Sequence, residues 1–160
     1  MLLNQAKEAQ DLVENALAMK PKYPRALYVR GRSFEALGDL KQAVENYEVA
    51  LKSDSNFVPA LERLWPIYDH KGQRADAIGT LERLLYIHEA TLDEKIALVN
   101  LYLSTGNNLD RGKKLVDETL KANPDNSDLK ALKAKLAKVK IDEPHEKGPG
   151  IVIKRGHGPR

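Results

Sequence analysis

The sequence predicts an all-α fold, a solenoid of stacked antiparallel helix pairs, and three observations carry that prediction. Gly38, Gly72 and Gly106 recur at a spacing of 34 residues, and self-similarity at a fixed period of this size marks a chain of repeated supersecondary units. Between the glycines, apolar residues return every third or fourth position, the spacing that lines one face of an α-helix. No strand is predicted anywhere along the chain.

Residues 1–23 match only the second helix of such a unit, in register through Ala9, Val13, Ala16, Leu17 and Pro21. The first full unit covers 24–57. From Pro24 to Leu37 the residues Leu27, Gly31, Phe34 and Leu37 share one helical face. Gly38 ends that helix, because glycine adopts positive φ at the C′ position without a Cβ penalty, and Asp39 opens the next helix as its cap. Leu40, Ala43, Val44, Tyr47, Ala50 and Leu51 form the apolar stripe of the second helix, Leu40 to Lys52, and Ser53-Asp54-Ser55-Asn56 closes the unit.

The second unit, 58–91, carries Leu61, Leu64, Tyr68, Gly72, Ala77, Leu81 and Leu84 at matching places. Trp65-Pro66 departs from the pattern. Pro66 removes the hydrogen bond to the Glu62 carbonyl, which predicts a bent helix at a cost of roughly 3 kcal/mol, with Trp65 repacked in the core or turned toward a ligand. The third unit, 92–126, carries Leu98, Tyr102, Gly106, Gly112, Val116 and Pro124, with one residue inserted around Asn107-Asn108.

Two further segments complete the chain. A capping helix is expected over 127–141, opened by Ser127 or Asp128, with Leu129, Leu132, Leu136 and Val139 as a narrow seam among lysines. Residues 142–160 hold Pro144, Pro149, Pro159 and several glycines, a composition that cannot continue a helix and predicts a flexible basic tail. Ile151-Val152-Ile153 is its apolar segment. The count is one lone helix, three pairs and a cap.

Small residues at Ala43, Ala50, Ala77 and Gly112 have a mechanical reason, since helices approach to about 8 Å only where side chains at the contact are small. No single unit covers both of its apolar faces, so stacking is obligatory.

Composition narrows the function. The chain is 42% hydrophobic and 31% charged, with no cysteine, which excludes disulfides, thiolate metal sites and cysteine nucleophiles. No apolar run of about 18 residues occurs, and the polar residues after Met1-Leu2-Leu3 leave no secretory h-region, so a cytoplasmic chain is expected. His70, His88, His145 and His157 fall in no metal-ligand spacing. Carboxylates alternate with basic residues on helix surfaces, and no phosphate cradle follows a strand. No enzyme activity, cofactor or metal is therefore expected. The net charge of +3 is uneven: residues 111–160 carry 13 basic and 7 acidic side chains.

Leu27, Gly31, Phe34, Gly38, Ala43, Tyr47 and Ala50, with Ser55 in place of a proline, resemble the tetratricopeptide repeat (TPR), and the resemblance covers roughly residues 1–141. It implies a right-handed superhelix whose concave wall, formed by the first helix of each pair, holds a protein or peptide. The groove positions it implies are Arg25, Tyr28, Arg32 and Glu35; Pro59, Glu62, Arg63, Pro66 and Asp69; and Asp93, Ile96, Asn100 and Leu103. Arg25, Tyr28, Arg32, Glu62, Arg63 and Asn100 are the candidate contacts, with Arg32 and Arg63 expected on the solvent side. One TPR subset grips chaperone C-terminal tails through a clamp of Lys, Asn, Asn, Lys and Arg. Those positions hold Tyr28, Arg32, Arg63, Asp93 and Ala97 here, so such tails are disfavoured. The alternative function is binding of nucleic acid or an acidic surface by the lysine-rich capping helix and tail. Leu12, Val13 and Leu17 are expected to leave an open apolar strip, through which residues 1–20 would self-associate or dock on an upstream segment.

Overall fold

In the computed structural model, which describes residues 2–87 and 90–139, with side chains described from residue 11 onward, all regular structure is helical. Eight helices follow in order: α1 (Leu2–Met19), α2 (Pro24–Ala36), α3 (Leu40–Ser53), α4 (Val58–His70), α5 (Arg74–Ile87), α6 (Leu92–Thr105), α7 (Leu109–Ala122) and α8 (Ser127–Lys138). Helices α2/α3, α4/α5 and α6/α7 pack as pairs, and α1/α2, α3/α4, α5/α6 and α7/α8 join one layer to the next. The predicted tail with Ile151-Val152-Ile153, the last two residues of the predicted capping helix, and His88, His145 and His157 lie outside the described residues.

The 34-residue spacing is written into the backbone. Gly38, Gly72 and Gly106 have φ of 79°, 73° and 72°, the left-handed region where a Cβ is penalised. At Gly38 the turn is a Schellman closure: the Gly38 amide donates to the Glu35 carbonyl and the Asp39 amide to that of Phe34, at 3.0 and 2.9 Å. Gly72 and Gln73 repeat it on Asp69 and Tyr68. Such closures satisfy carbonyls that a helix end leaves unpaired. Asp39 then caps α3, its carboxylate accepting from the Gln42 amide at 3.1 Å. The insertion before α7 is absorbed by Asn108, whose φ of 55° turns the extra residue into α7.

One helix start differs from expectation. Asn126, not Ser127 or Asp128, caps α8: its extended backbone brings the side-chain oxygen to the Leu129 amide at 2.9 Å, while Ser127 and Asp128 are already in the first turn. Helix α6 opens on a capping box in which Thr91 Oγ1 accepts from the Glu94 amide and Glu94 Oε2 accepts from that of Thr91. The Thr-x-x-Glu spacing is readable in the sequence.

The core runs through the stack. Leu27, Tyr47, Leu61, Leu64, Leu81, Leu84, Leu98 and Tyr102 are among its fully buried side chains. Ala43, Ala50 and Ala77 have no exposed surface and Gly112 is buried, as close helix contacts require. Gly31 shows how tight these contacts are: a Cβ there would lie 2.5 Å from the Tyr47 ring. At the N-terminal end the expected open strip is narrower than predicted. Leu17 is buried and Val13 is packed against the core, because α1 lies on α2; of the three, Leu12 is exposed, at 70%.

Candidate functional site

Three tyrosines buried between helices each donate their hydroxyl to a carboxylate: Tyr47 to Glu35 at 2.7 Å, Tyr68 to Glu48 at 2.8 Å and Tyr102 to Glu82 at 2.6 Å. The last two bonds are the same bond displaced by one repeat, since Tyr68 and Tyr102, like Glu48 and Glu82, are 34 residues apart. Each ties the second helix of one pair to the first helix of the next. Phe34 occupies the equivalent place one repeat earlier and has no hydroxyl; Glu14 there pairs with Arg30. Burial, followed by the adjacent carboxylate, raises all three phenols well above their ordinary range, so they stay neutral donors.

Glu35 is the hub of the first layer. It accepts from Tyr47 and also pairs with Arg63, whose Nε and Nη2 both reach it from α4. Arg63 is therefore half-buried in a bond between repeats, not on the open solvent side as the sequence suggested. The hydrogen bond from Arg63 holds the Glu35 carboxyl below its usual range, with Tyr47 adding to the effect against the opposing cost of burial. A carboxyl lowered in the folded state contributes stability that is present above its unfolded value and lost as pH falls through its folded value. Glu35→Gln is accordingly expected to lower stability at neutral pH, with the gap from wild type narrowing as pH drops below about 4.5. Urea denaturation at stepped pH measures this, and a constant gap would show that Glu35 is not ion-paired.

The remaining candidates fall in two places. On α2, Arg32 Nη1 donates to the Tyr28 hydroxyl at 3.2 Å, and its guanidinium carbon is 6.0 Å from the Tyr28 ring centre. Tyr28 itself is half-buried, edge-on to Phe57 and tilted against Tyr47. Arg25 and Glu62 are exposed. Asn100 is apart from these, in an open groove of about 550 Å³. Trp65 and Asp69 of α4 form one wall, Asp93, Ile96, Ala97 and Asn100 of α6 the other, and Arg74 and Asp128 border it.

Trp65 packs against the core with part of its surface and lines the groove with the rest. Helix α4 runs unbroken from Val58 to His70 with Pro66 inside it. Among the described residues no group of three metal-ligating side chains comes together, and no described helix is long and apolar enough to cross a membrane.

The tetratricopeptide-repeat family model matches residues 3–56. A crystal structure of a tetratricopeptide repeat protein from Parabacteroides merdae superposes with a TM-score of 0.64 at 19% identity, covering 79% of this chain and 50% of that one. The described helices have the fold of a tetratricopeptide-repeat solenoid, and residues 3–56 match the repeat itself. A crystal structure of MamA superposes with a TM-score of 0.59 at 18% identity, with 81% of each chain covered. A thermophilic TPR protein of Thermus thermophilus gives 0.51 at 24% identity, over 86% of this chain and 75% of that one. The chain thus spans half the length of the first of these TPR structures. No curated protein sequence matches it. In TPR terms, the groove lies along the first helices of the second and third pairs and the capping helix.

Proposed function

We propose that this TPR chain is a non-enzymatic scaffold that holds an extended peptide or a helix of a partner protein against the first helices of its repeats. The TPR fold suggests a protein–protein interaction scaffold in general terms. The observation that supports the finer reading is the α4–α6–α8 groove: it is open, it is lined by first-helix residues, and it combines an aromatic face with an amide and carboxylates. Such a mixture offers contact area together with directed hydrogen bonds. Asn100, Asp93, Ile96 and Asp69, all groove positions by TPR resemblance, line it together.

Binding of nucleic acid or an acidic surface by α8 has weaker support, because Lys130 and Lys133 are paired with Asp125 and Asp117.

A photo-crosslinking side chain at Asn100 tests the groove against one at Tyr86, which is 90% exposed on a second helix. Partner protein is expected to be captured from position 100 and not from 86, with capture unchanged by nuclease. Capture at 86 alone, or its loss on nuclease treatment, would move the function off the groove.

A further inference from the structure

We propose that the segment held in the α4–α6–α8 groove is cationic, a lysine or arginine side chain of an extended partner peptide lying against Trp65 among Asp69, Asp93 and Asp128. The proposal rests on the groove reading above and specifies the chemistry of its ligand. Three carboxylates and one guanidinium, that of Arg74, line the cavity, so it is locally acidic within a chain whose net charge is +3. At physiological ionic strength exposed charges more than about 8 Å apart are largely screened. A ligand seated in the groove therefore meets these lining aspartates most directly.

Unlike Glu35, Glu82, Asp117 and Asp125, none of the three aspartates is ion-paired among the described residues. Asp93 and Asp128 sit in the first turns of α6 and α8, where the helix dipole favours a negative charge. Asp69 has no such support. It lies in the last turn of α4, one residue before the helix ends at His70, where the same dipole opposes a carboxylate. A cation in the groove relieves that opposition.

Two more features point the same way. Trp65 presents ring surface to the groove from a half-buried position, and tryptophan is the best aromatic partner for a guanidinium or ammonium. Asn100, on the facing wall, adds an amide oxygen that accepts from a peptide or side-chain N–H. The wall is rich in acceptors, which suits a donor-rich cationic peptide and opposes an acidic one.

The chain contains a single tryptophan, so its emission reports on the groove directly. The full chain is titrated with an alternating arginine–glycine peptide and with glutamate–glycine and serine–glycine peptides of equal length. The arginine peptide is expected to shift Trp65 emission, with an affinity that falls as salt rises. Replacing Asp69→Asn, Asp93→Asn and Asp128→Asn together is expected to weaken it about tenfold or more while circular dichroism stays unchanged. Equal binding of the serine or glutamate peptide would overturn the cationic assignment and leave the groove reading standing; silence of Trp65 toward every peptide would remove both. If Lys154→Gln, Arg155→Gln and Arg160→Gln in the full chain by themselves shift the emission and tighten arginine-peptide binding, the occupant is the chain's own tail, and the partner assignment is overturned.

Discussion

Tyr47→Ala is expected to destabilise the protein by about 3–5 kcal/mol, the range for deleting a fully buried aromatic side chain. Tyr47 has no exposed surface, and its ring fills the space over Gly31, where even a Cβ would meet it at 2.5 Å. Alanine would leave that space empty, since Gly31 has no side chain to move into it. The hydroxyl is lost as well, and with it one of the donors to Glu35, the carboxylate that Arg63 reaches from the next repeat. Against a total of about 5–15 kcal/mol for a typical domain, a loss of this size is a large fraction. Tyr47→Phe separates the two effects: it keeps the ring and removes one hydrogen bond, so a cost near 1 kcal/mol is expected. Urea denaturation of both variants gives the comparison. Equal costs would mean that the hydroxyl dominates and that the packing over Gly31 is slack.

The fold was readable because its main constraints are local. A glycine at positive φ, an aspartate capping the helix that follows it and a stripe of apolar residues each follow from a few neighbouring positions, and the 34-residue spacing repeats them. The tyrosine–carboxylate bonds were not foreseen, although Glu48 and Glu82 recur with Tyr68 and Tyr102 at that same spacing. Their meaning depends on which helix lies across from which, a tertiary fact that helical periodicity does not contain. The tie from Arg63 to Glu35 was hidden for the same reason. Its place on α4 reads as solvent-facing until Glu35 arrives from α2, and charge reversal there would break an ion pair between repeats as well as altering a surface. At the site, Asn100 and its neighbours follow from the repeat register, whereas the inclusion of Trp65, Arg74 and Asp128 depends on how α4, the start of α5 and α8 meet around α6.

Ala43→Trp and Ala77→Trp are each expected to cost about 3 kcal/mol or more, beyond the usual 1–3 kcal/mol of overpacking because the added side chain is the largest available. Both alanines have no exposed surface and lie one repeat apart, in α3 and α5. Neither site has a flexible exit. Both belong to the buried core cluster that also holds Leu27, Tyr47, Leu64, Tyr68 and Leu81. Relief therefore requires the paired helices to separate, which strips contacts from the next repeat too, because stability in a stacked array is a sum of repeat and neighbour-interface terms. Gly79→Ala is the control: Gly79 is inside α5, and a Cβ there meets nothing within 4 Å, so removing glycine's backbone freedom is expected to raise stability by roughly 0.5–1 kcal/mol. Thermal denaturation followed by circular dichroism reads all three variants on one scale. Midpoints at wild-type values for both tryptophan variants would place Ala43 and Ala77 outside the helix contacts and break the 34-residue register on which the packing of the stack depends.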